Sequence, residues 1–360
     1  MKSTEENGRM LVIRLSAMGD VAMTVPVLHS LMKKYPSLNL VVLTTYGYDP
    51  MFDNLPNVKV KHFDRHGGDK GLFGIFKVWW RLRSEYKFKY IADLHGVLRS
   101  RLLCFLFRLS SRAKIVHIDK GRKEKQELVS KGAKGLGEPL KNGFERYKQV
   151  FGKMGFQFPL DFHSIFDGKK IILETDFLNQ LGGEKRNGEK WIGVAPFAGH
   201  KGKIYPLKQM GQLIDLLGQH EDYRIFLFGH GEGEKSVMHK WAKRNGENVR
   251  VMPPHTYLPD ELRLMSKLDV MISMDSANMH LASLVDTKVV SIWGATHYYA
   301  GFLGWKQNEG NIVDIDLSCR PCSIFGNVHC HKKGDSAYEC LHKITPEMIE
   351  EKIELAVSAS

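Results

Sequence analysis

The run Met10-Leu11-Val12-Ile13-Arg14-Leu15 is apolar with a single charge, the pattern of a strand buried on both faces. A turn, Ser16-Ala17-Met18-Gly19, follows, and from Asp20 to Tyr35 the residues Val21, Val25, Leu28 and Met32 recur at helical spacing. The same strand, loop and helix rhythm returns with strands predicted over Leu38–Thr44, Tyr90–Leu94 and Lys114–Ile118. Between Gly155 and Gly188 it fades, and the glycine-rich, charged run 181–190 reads as a linker. A second series then alternates strands at 191–195, 224–228, 249–252, 270–273 and 289–292 with helices at 207–217, 232–244 and 260–267. Alternation of this kind predicts an α/β protein of two doubly wound parallel-sheet domains. Their expected bounds are 1–180 and 191–345, with a cysteine-rich segment at 319–340 and a closing helix over 346–360. Such sheets bind ligands beyond the carboxyl ends of their strands, so the cleft between the domains is the expected active site.

Composition keeps the chain among ordinary folded proteins: 43% of its 360 residues are hydrophobic and 26% charged. No apolar run is long enough to cross a bilayer, and the start, Met1 to Glu6, is polar and acidic rather than basic and then apolar. A cytoplasmic protein is expected. Charge alters the picture more. Residues 1–150 hold 28 Lys and Arg against 14 Asp and Glu, whereas residues 151–360 hold 24 against 26. A basic first half suits an anionic partner, whether nucleic acid, an acidic membrane surface or a phosphorylated substrate, although a plain solvated surface would look the same.

Three constellations carry candidate chemistry. In Arg14-Leu15-Ser16-Ala17-Met18-Gly19-Asp20 a strand turns into a helix and leaves Asp20 at the helix start, as a cap or as a catalytic carboxylate. Its single glycine lacks the GxGxxG dinucleotide fingerprint, which disfavours hydride transfer. In Asp275-Ser276-Ala277-Asn278-Met279-His280-Leu281-Ala282 a second helix opens after a strand, where free N–H groups, the Ser276 hydroxyl and His280 suit phosphate oxygens. The third constellation is Cys319-Arg320-Pro321-Cys322 followed by Cys330 and Cys340: four thiols that suit a structural zinc site, with reduced or redox-active thiols and disulfides as the alternatives. Cys104, in an apolar run, reads as core. The segments Gly71–Trp80 and Arg101–Arg108 mix aromatic residues with cations and suit either a core or a membrane interface.

Taken together, RLSAMGD, the Asp93-to-Ser100 segment with His95, Gly96 and Arg99, Lys203-Ile204-Tyr205-Pro206, DSANMHLA and Trp293-Gly294-Ala295-Thr296 resemble, in order, the motifs of glycosyltransferase family 9, the lipopolysaccharide heptosyltransferases. The resemblance runs from Met10 to about Ile349. It implies a GT-B architecture of two Rossmann-like domains facing a central cleft, and an inverting sugar transfer that needs no catalytic cofactor or metal. The donor is expected to be an ADP-heptose-type nucleotide sugar, and the acceptor an anionic lipopolysaccharide inner core of the Kdo and lipid A type. Asp20 matches the general base. Lys203, Glu234, Thr256, Asp275, Ser276, His280 and Thr296 match donor contacts, and Arg99, Arg101, Arg122 and Lys123 are the cations expected near the acceptor. Ala277 stands where the family usually has glycine, and His297-Tyr298 where an acidic residue and proline are common. The site implied is peripheral to the inner face of the cytoplasmic membrane, with no nucleic-acid partner. The rival readings are a GT-B transferase or epimerase for another nucleotide sugar, and a non-catalytic binder of anionic lipid or nucleic acid.

Overall fold

A computed structural model describes residues 8–358. The polar start Met1–Glu6 therefore lies outside the described residues, as do the last two positions of the predicted closing helix.

The first sheet has five parallel strands in the order β3-β2-β1-β4-β5: β1 Arg9–Ile13, β2 Asn39–Thr44, β3 Val58–His62, β4 Phe88–Asp93 and β5 Lys114–His117. Leu11 of β1 lies opposite Val41 of β2 and Ile91 of β4, and all three are buried, as a strand covered on both faces requires. The predicted first helix is two: α1 Met18–Ala22 and α2 Thr24–Lys34. Next come α3 Gly71–Glu85, α4 Leu98–Ser110, α5 Arg122–Leu136, α6 Gly143–Met154 and α7 Thr175–Gln180. Helices α3 and α4 pack on one face of the sheet through Ile75, Val78, Leu82, Leu103 and Phe107.

The second sheet has six parallel strands in the order β11-β10-β9-β6-β7-β8: β6 Lys190–Ala195, β7 Tyr223–Leu227, β8 Val249–Val251, β9 Val270–Met274, β10 Val289–Trp293 and β11 Ile312–Asp314. Its helices are α8 Leu207–Leu217, α9 Glu232–Asn245, α10 Leu258–Met265, α11 Ala277–Leu284, α12 Glu339–His342 and α13 Pro346–Ser358. In α8, Met210, Leu213, Ile214 and Leu217 are fully buried at the three-and-four spacing that turns one stripe to the core.

The compact units differ from the expected bounds. One unit runs to Arg122 and resumes over Gly143–Ile165; the other takes Lys123–Asn142 and everything from Phe166. The predicted linker 181–190 is no free tether, because it is fastened to the second sheet. Leu181 is fully buried, and the buried Glu189 carboxylate accepts hydrogen bonds from the Trp191 indole (2.9 Å), Arg186 (2.9 Å) and Arg224 (3.1 Å). Burial alone would raise the Glu189 carboxyl, but these donors hold it below its ordinary range.

Candidate functional site

Each sheet reverses its winding direction once, and the strand ends on either side of that reversal form the crevice where doubly wound sheets place ligands. In the first unit the reversal lies between β1 and β4. Arg14, just past β1, donates to Leu94 O after β4 at 2.8 Å, and the Leu15 N–H donates to His95 Nδ1 at 3.0 Å. The turn carrying His95 is built on buried Asp93, which accepts from the His95 and Gly96 N–H groups, the Ser100 hydroxyl and the His117 ring. Since His95 Nδ1 accepts a hydrogen bond from the Leu15 N–H, the proton of its neutral ring sits on Nε2.

Asp20 closes this cluster from α1. Its Oδ2 pairs with the buried Arg14 guanidinium and accepts from the Ala17 N–H at 3.4 Å, so the carboxylate does act at a helix start while its side chain stays 34% exposed. Both of these contacts fall on Oδ2 rather than Oδ1. The Tyr147 hydroxyl of α6 donates to Asp20 O at 3.3 Å, and its ring lies 5.9 Å below the Arg14 guanidinium. Burial opposes the Arg14 charge, yet Tyr147 and Asp20 together raise its proton affinity above the usual value. Burial pushes His95 down to about 4, with Arg14 and Lys120 adding to the effect. Burial and the nearby Arg14 and Arg122 lower the Lys120 ammonium as well. Lys120, His95 and Tyr147 are the site residues that sequence reasoning missed or left without a role; they come from three separate segments that the sheet order brings to Asp20.

The expected acceptor cations do not form one group. Arg99 lies over the Phe63 ring at 5.6 Å, whereas Arg101 shares the outer face of α4 with Phe105 and Leu109 by helical spacing. Arg122 is exposed and near Lys120, and Lys123 belongs to the second unit.

In the second unit the reversal lies between β6 and β9. Lys203, in a short helical turn after β6, has Nζ 2.8 Å from Asp275 Oδ2 after β9, and the Thr296 hydroxyl after β10 donates to the same oxygen at 2.8 Å. Ser276 precedes α11, with its hydroxyl 3.2 Å from that of Ser273, and His280 is buried one turn further on. Thus Lys203, Asp275 and Thr296 meet directly, with Ser276 and His280 on the adjoining helix. Glu234 instead shapes the loop after β7, accepting from the His230 N–H at 2.9 Å, and the Thr256 hydroxyl after β8 donates to Pro253 O at 2.8 Å. All five loops leave the carboxyl edge of one parallel sheet.

Glycine contacts make the Lys203 turn tight. The Ala295 N–H donates to Gly202 O at 2.8 Å; a Cβ on Gly202 would lie 2.9 Å from that of Ala295, and one on Gly326 would lie 2.6 Å from Lys203 Cγ. Behind the β10 loop, α5 and residues 297–299 and 314–320 enclose a cavity of about 440 Å³, bordered by Lys131, Lys134, His297, Tyr298 and Arg320. Burial and Arg320 hold His297 down to about 4.

The model of the family described as Glycosyltransferase family 9 (heptosyltransferase) matches residues 75–329. "Lipooligosaccharide heptosyltransferase 2" of Campylobacter jejuni is 23% identical over 341 residues, covering 93% of this chain and 94% of that protein. "Lipopolysaccharide core heptosyltransferase OpsX" of Haemophilus influenzae is 21% identical over 293 residues, with 81% and 80% covered. Among solved structures, the family 9 glycosyl transferase from Veillonella parvula superposes with a TM-score of 0.73 at 18% identity over 98% of both chains. The E. coli heptosyltransferase WaaC with ADP gives 0.66 at 18% identity, over 97% of this chain and 99% of that one.

Proposed function

Because the chain belongs to glycosyltransferase family 9, we propose that it transfers a heptose, with inversion and without a catalytic metal, from an ADP-heptose-type donor to an anionic lipopolysaccharide inner-core acceptor of the Kdo and lipid A type. The observation that carries this reading is the Lys203–Asp275–Thr296 cluster at the winding reversal of the second sheet, beside the start of α11. Cleaving a sugar–diphosphate bond places negative charge on the leaving oxygens. A lysine held in place and the N–H groups of a helix start offset that charge without a divalent ion. Asp275 fixes the lysine rather than attacking the sugar, since it is already engaged by two donors. Asp20 Oδ1 takes the proton of the acceptor hydroxyl as that hydroxyl attacks the anomeric carbon, and a single displacement inverts the configuration there. Arg14 holds the carboxylate in place through its ion pair, and Lys120 and Arg122 are the cations for the acceptor's negative groups.

A lipid-linked acceptor calls for an enzyme that reaches a membrane, and α3 and α4 suit that task. Along α3, Leu72, Phe73, Phe76 and Trp80 form an outward stripe, and along α4 Leu98, Phe105 and Leu109 do the same, each residue 47–85% exposed. Lys77, Arg81 and Arg83 flank the first stripe, and Arg101 and Arg108 the second; α4 carries no acidic residue. Apolar rings beside cations fit the interface of an anionic bilayer. Among the described residues no helix is long and apolar enough to cross a membrane.

The test is a thermal-shift panel of ADP-, UDP-, GDP- and CMP-sugars followed by transfer to a heptose-free core acceptor. ADP-heptose should stabilise the fold, by about 2.7 kcal/mol at ~100 times its dissociation constant, and support transfer in EDTA. Stabilisation by a different nucleotide sugar, or loss of transfer in EDTA restored by Mg²⁺, would overturn the donor or the metal-free step respectively.

A further inference from the structure

We propose that the cavity behind the β10 loop binds one neutral pyranose ring, at a site separate from the donor contacts. It lies wholly within the second unit, between α5, the loop after β10 and the loop after β11. Its volume of about 440 Å³ falls in the range of small-molecule sites.

The walls are fastened to one another. Helix α5 breaks at Gly132, whose φ of 72° suits glycine, and a Cβ there would lie 3.2 Å from Arg320 O. Just beyond, the Ala133 N–H donates to Arg320 O at 3.2 Å and the Leu140 N–H to Tyr299 O at 2.8 Å, so the chain leaving the break is tied to both other walls. Three rings make an aromatic corner: His297 and Tyr298 stack with centroids 4.6 Å apart, and Tyr299 stands at 82–83° to both. The apolar face of a sugar ring packs on such a corner while its hydroxyls seek polar groups around the rim.

His297 is the residue that points to a ligand. It is 8% exposed, its Nδ1 accepts from the Tyr299 N–H at 3.1 Å, and the proton of the neutral ring therefore sits on Nε2. That nitrogen stands 3.7 Å from Asp314 Oδ2, beyond hydrogen-bond distance. A buried donor and a carboxylate thus border one cavity without bonding each other.

Charge decides against an anion. Each cation of the lining has its counterpart: Lys131 pairs with Glu127 at 2.6 Å, Lys134 pairs with Asp316, and Arg320 donates to Asp314 at 2.8 Å and to the carbonyls of Trp293, Gly294, Ile315 and Thr296. A phosphate or sugar acid would meet the Asp314 and Asp316 carboxylates and only cations that are already paired. Paired charges present donors beside acceptors, which matches vicinal hydroxyls, since each hydroxyl both gives and accepts.

The sheet order sets this site apart from the nucleotide contacts. Strands β10 and β11 lie on one side of the reversal between β9 and β6, and β7 and β8, whose loops carry Glu234 and Thr256, lie on the other. The neighbouring Cys319, Cys322, Cys330 and Cys340 are unbridged, border a different and much smaller space, and among the described residues form no set of ligand atoms within 4.8 Å of one another.

The site does not rest on the identity of the donor, and its test is binding rather than transfer. Saturation-transfer difference NMR on the full-length protein, with the methyl α-glycosides of glucose, galactose, mannose and L-glycero-D-manno-heptose, should give ring-proton signals and millimolar affinity for at least one. His297→Ala should weaken that binding by about fivefold, the loss of one hydrogen bond. Ala133→Phe, which fills the cavity from α5 and removes no hydrogen-bonding group, should abolish it, and Lys203→Ala should leave it unchanged. The two cavity variants act by different means, so one that fails to fold leaves the other to decide. Tighter binding of a core oligosaccharide than of every methyl glycoside would identify the ring as part of a glycan chain, and equal affinity would identify a free sugar. No signal from any glycoside, displacement by inorganic phosphate, or binding that survives Ala133→Phe and is lost in Lys203→Ala would overturn the site.

Discussion

In the first unit the ion pair at the winding reversal buries its cation and turns its carboxylate outward: the Arg14 side chain is 9% exposed and that of Asp20 34%. In the second unit the order is inverted, with Asp275 5% exposed beneath Lys203 at 15%. The same crevice of the same sheet type therefore presents a carboxylate in one unit and a cation in the other. Which partner is buried decides which charge faces outward. Each inner partner has a further anchor: Arg14 also donates to Leu94 O, and Asp275 also accepts from Thr296.

Removing the outward partner of the first pair should have the largest effect. Asp20→Ala should lower turnover by roughly 10²–10⁴-fold while ADP-sugar affinity stays within about twofold, since the base acts in the transition state alone. Single-turnover kinetics beside calorimetric donor binding would measure both, and a parallel loss of donor affinity would erase the contrast between the units. In the second pair Lys203→Ala should weaken ADP binding by about 10–100-fold, the value of a charge-assisted contact to phosphate, and Lys203→Arg should recover part of it. Unchanged ADP affinity would leave Lys203 as a partner for Asp275 and nothing more.

A smaller effect should appear in pH-dependent stability, where the units behave alike. His95 and His297 are each held down to about 4, mainly by burial. The unfolded chain protonates these rings near 6.5, so between pH 6.5 and 4 it binds more protons than the folded state does, and stability rises with pH through that window. Acidification from 6.5 to 4 should remove up to about 2 kcal/mol per histidine. Melting temperatures of His95→Gln and His297→Gln, followed across the window, should each fall less steeply than the wild type; identical slopes would sink this account. Membrane contact should be the mildest to disturb. Phe73→Ser with Trp80→Ser should reduce sedimentation with phosphatidylglycerol vesicles several-fold without altering turnover on a soluble acceptor, and wild-type protein that stays in the supernatant would remove α3 and α4 from the interface.

Local patterns made much of this fold readable in the sequence. The predicted helix 207–217 is α8 to the residue, and 232–244 differs from α9 by one, because each carries a clear apolar stripe and a glycine at or near its end. Strands β3 and β11 went unpredicted for a physical reason: both lie at sheet edges, where Val-Lys-Val-Lys-His needs few apolar residues and Ile312–Asp314 is three residues long. The motif residues that contact one another, Lys203, Asp275 and Thr296, were named from their resemblance to the family. Lys120 and Tyr147 carried no such signal, since their proximity to Asp20 arises from sheet order and not from spacing. The exchange of Lys123–Asn142 into the second unit is likewise a long-range effect: Ala133 donates to Arg320 O across nearly two hundred residues.

The glycines around Lys203 set the tolerance of this region to sequence change. A methyl group on Gly294 would stand 2.7 Å from Gly202 O and 2.6 Å from Leu341, and one on Gly326 would strike the lysine stem itself. Neither position need touch a ligand, yet any side chain there acts as a wedge whose displacement ends at the ammonium group. The constraint at these small residues thus lies in the shape of empty space rather than in any functional group.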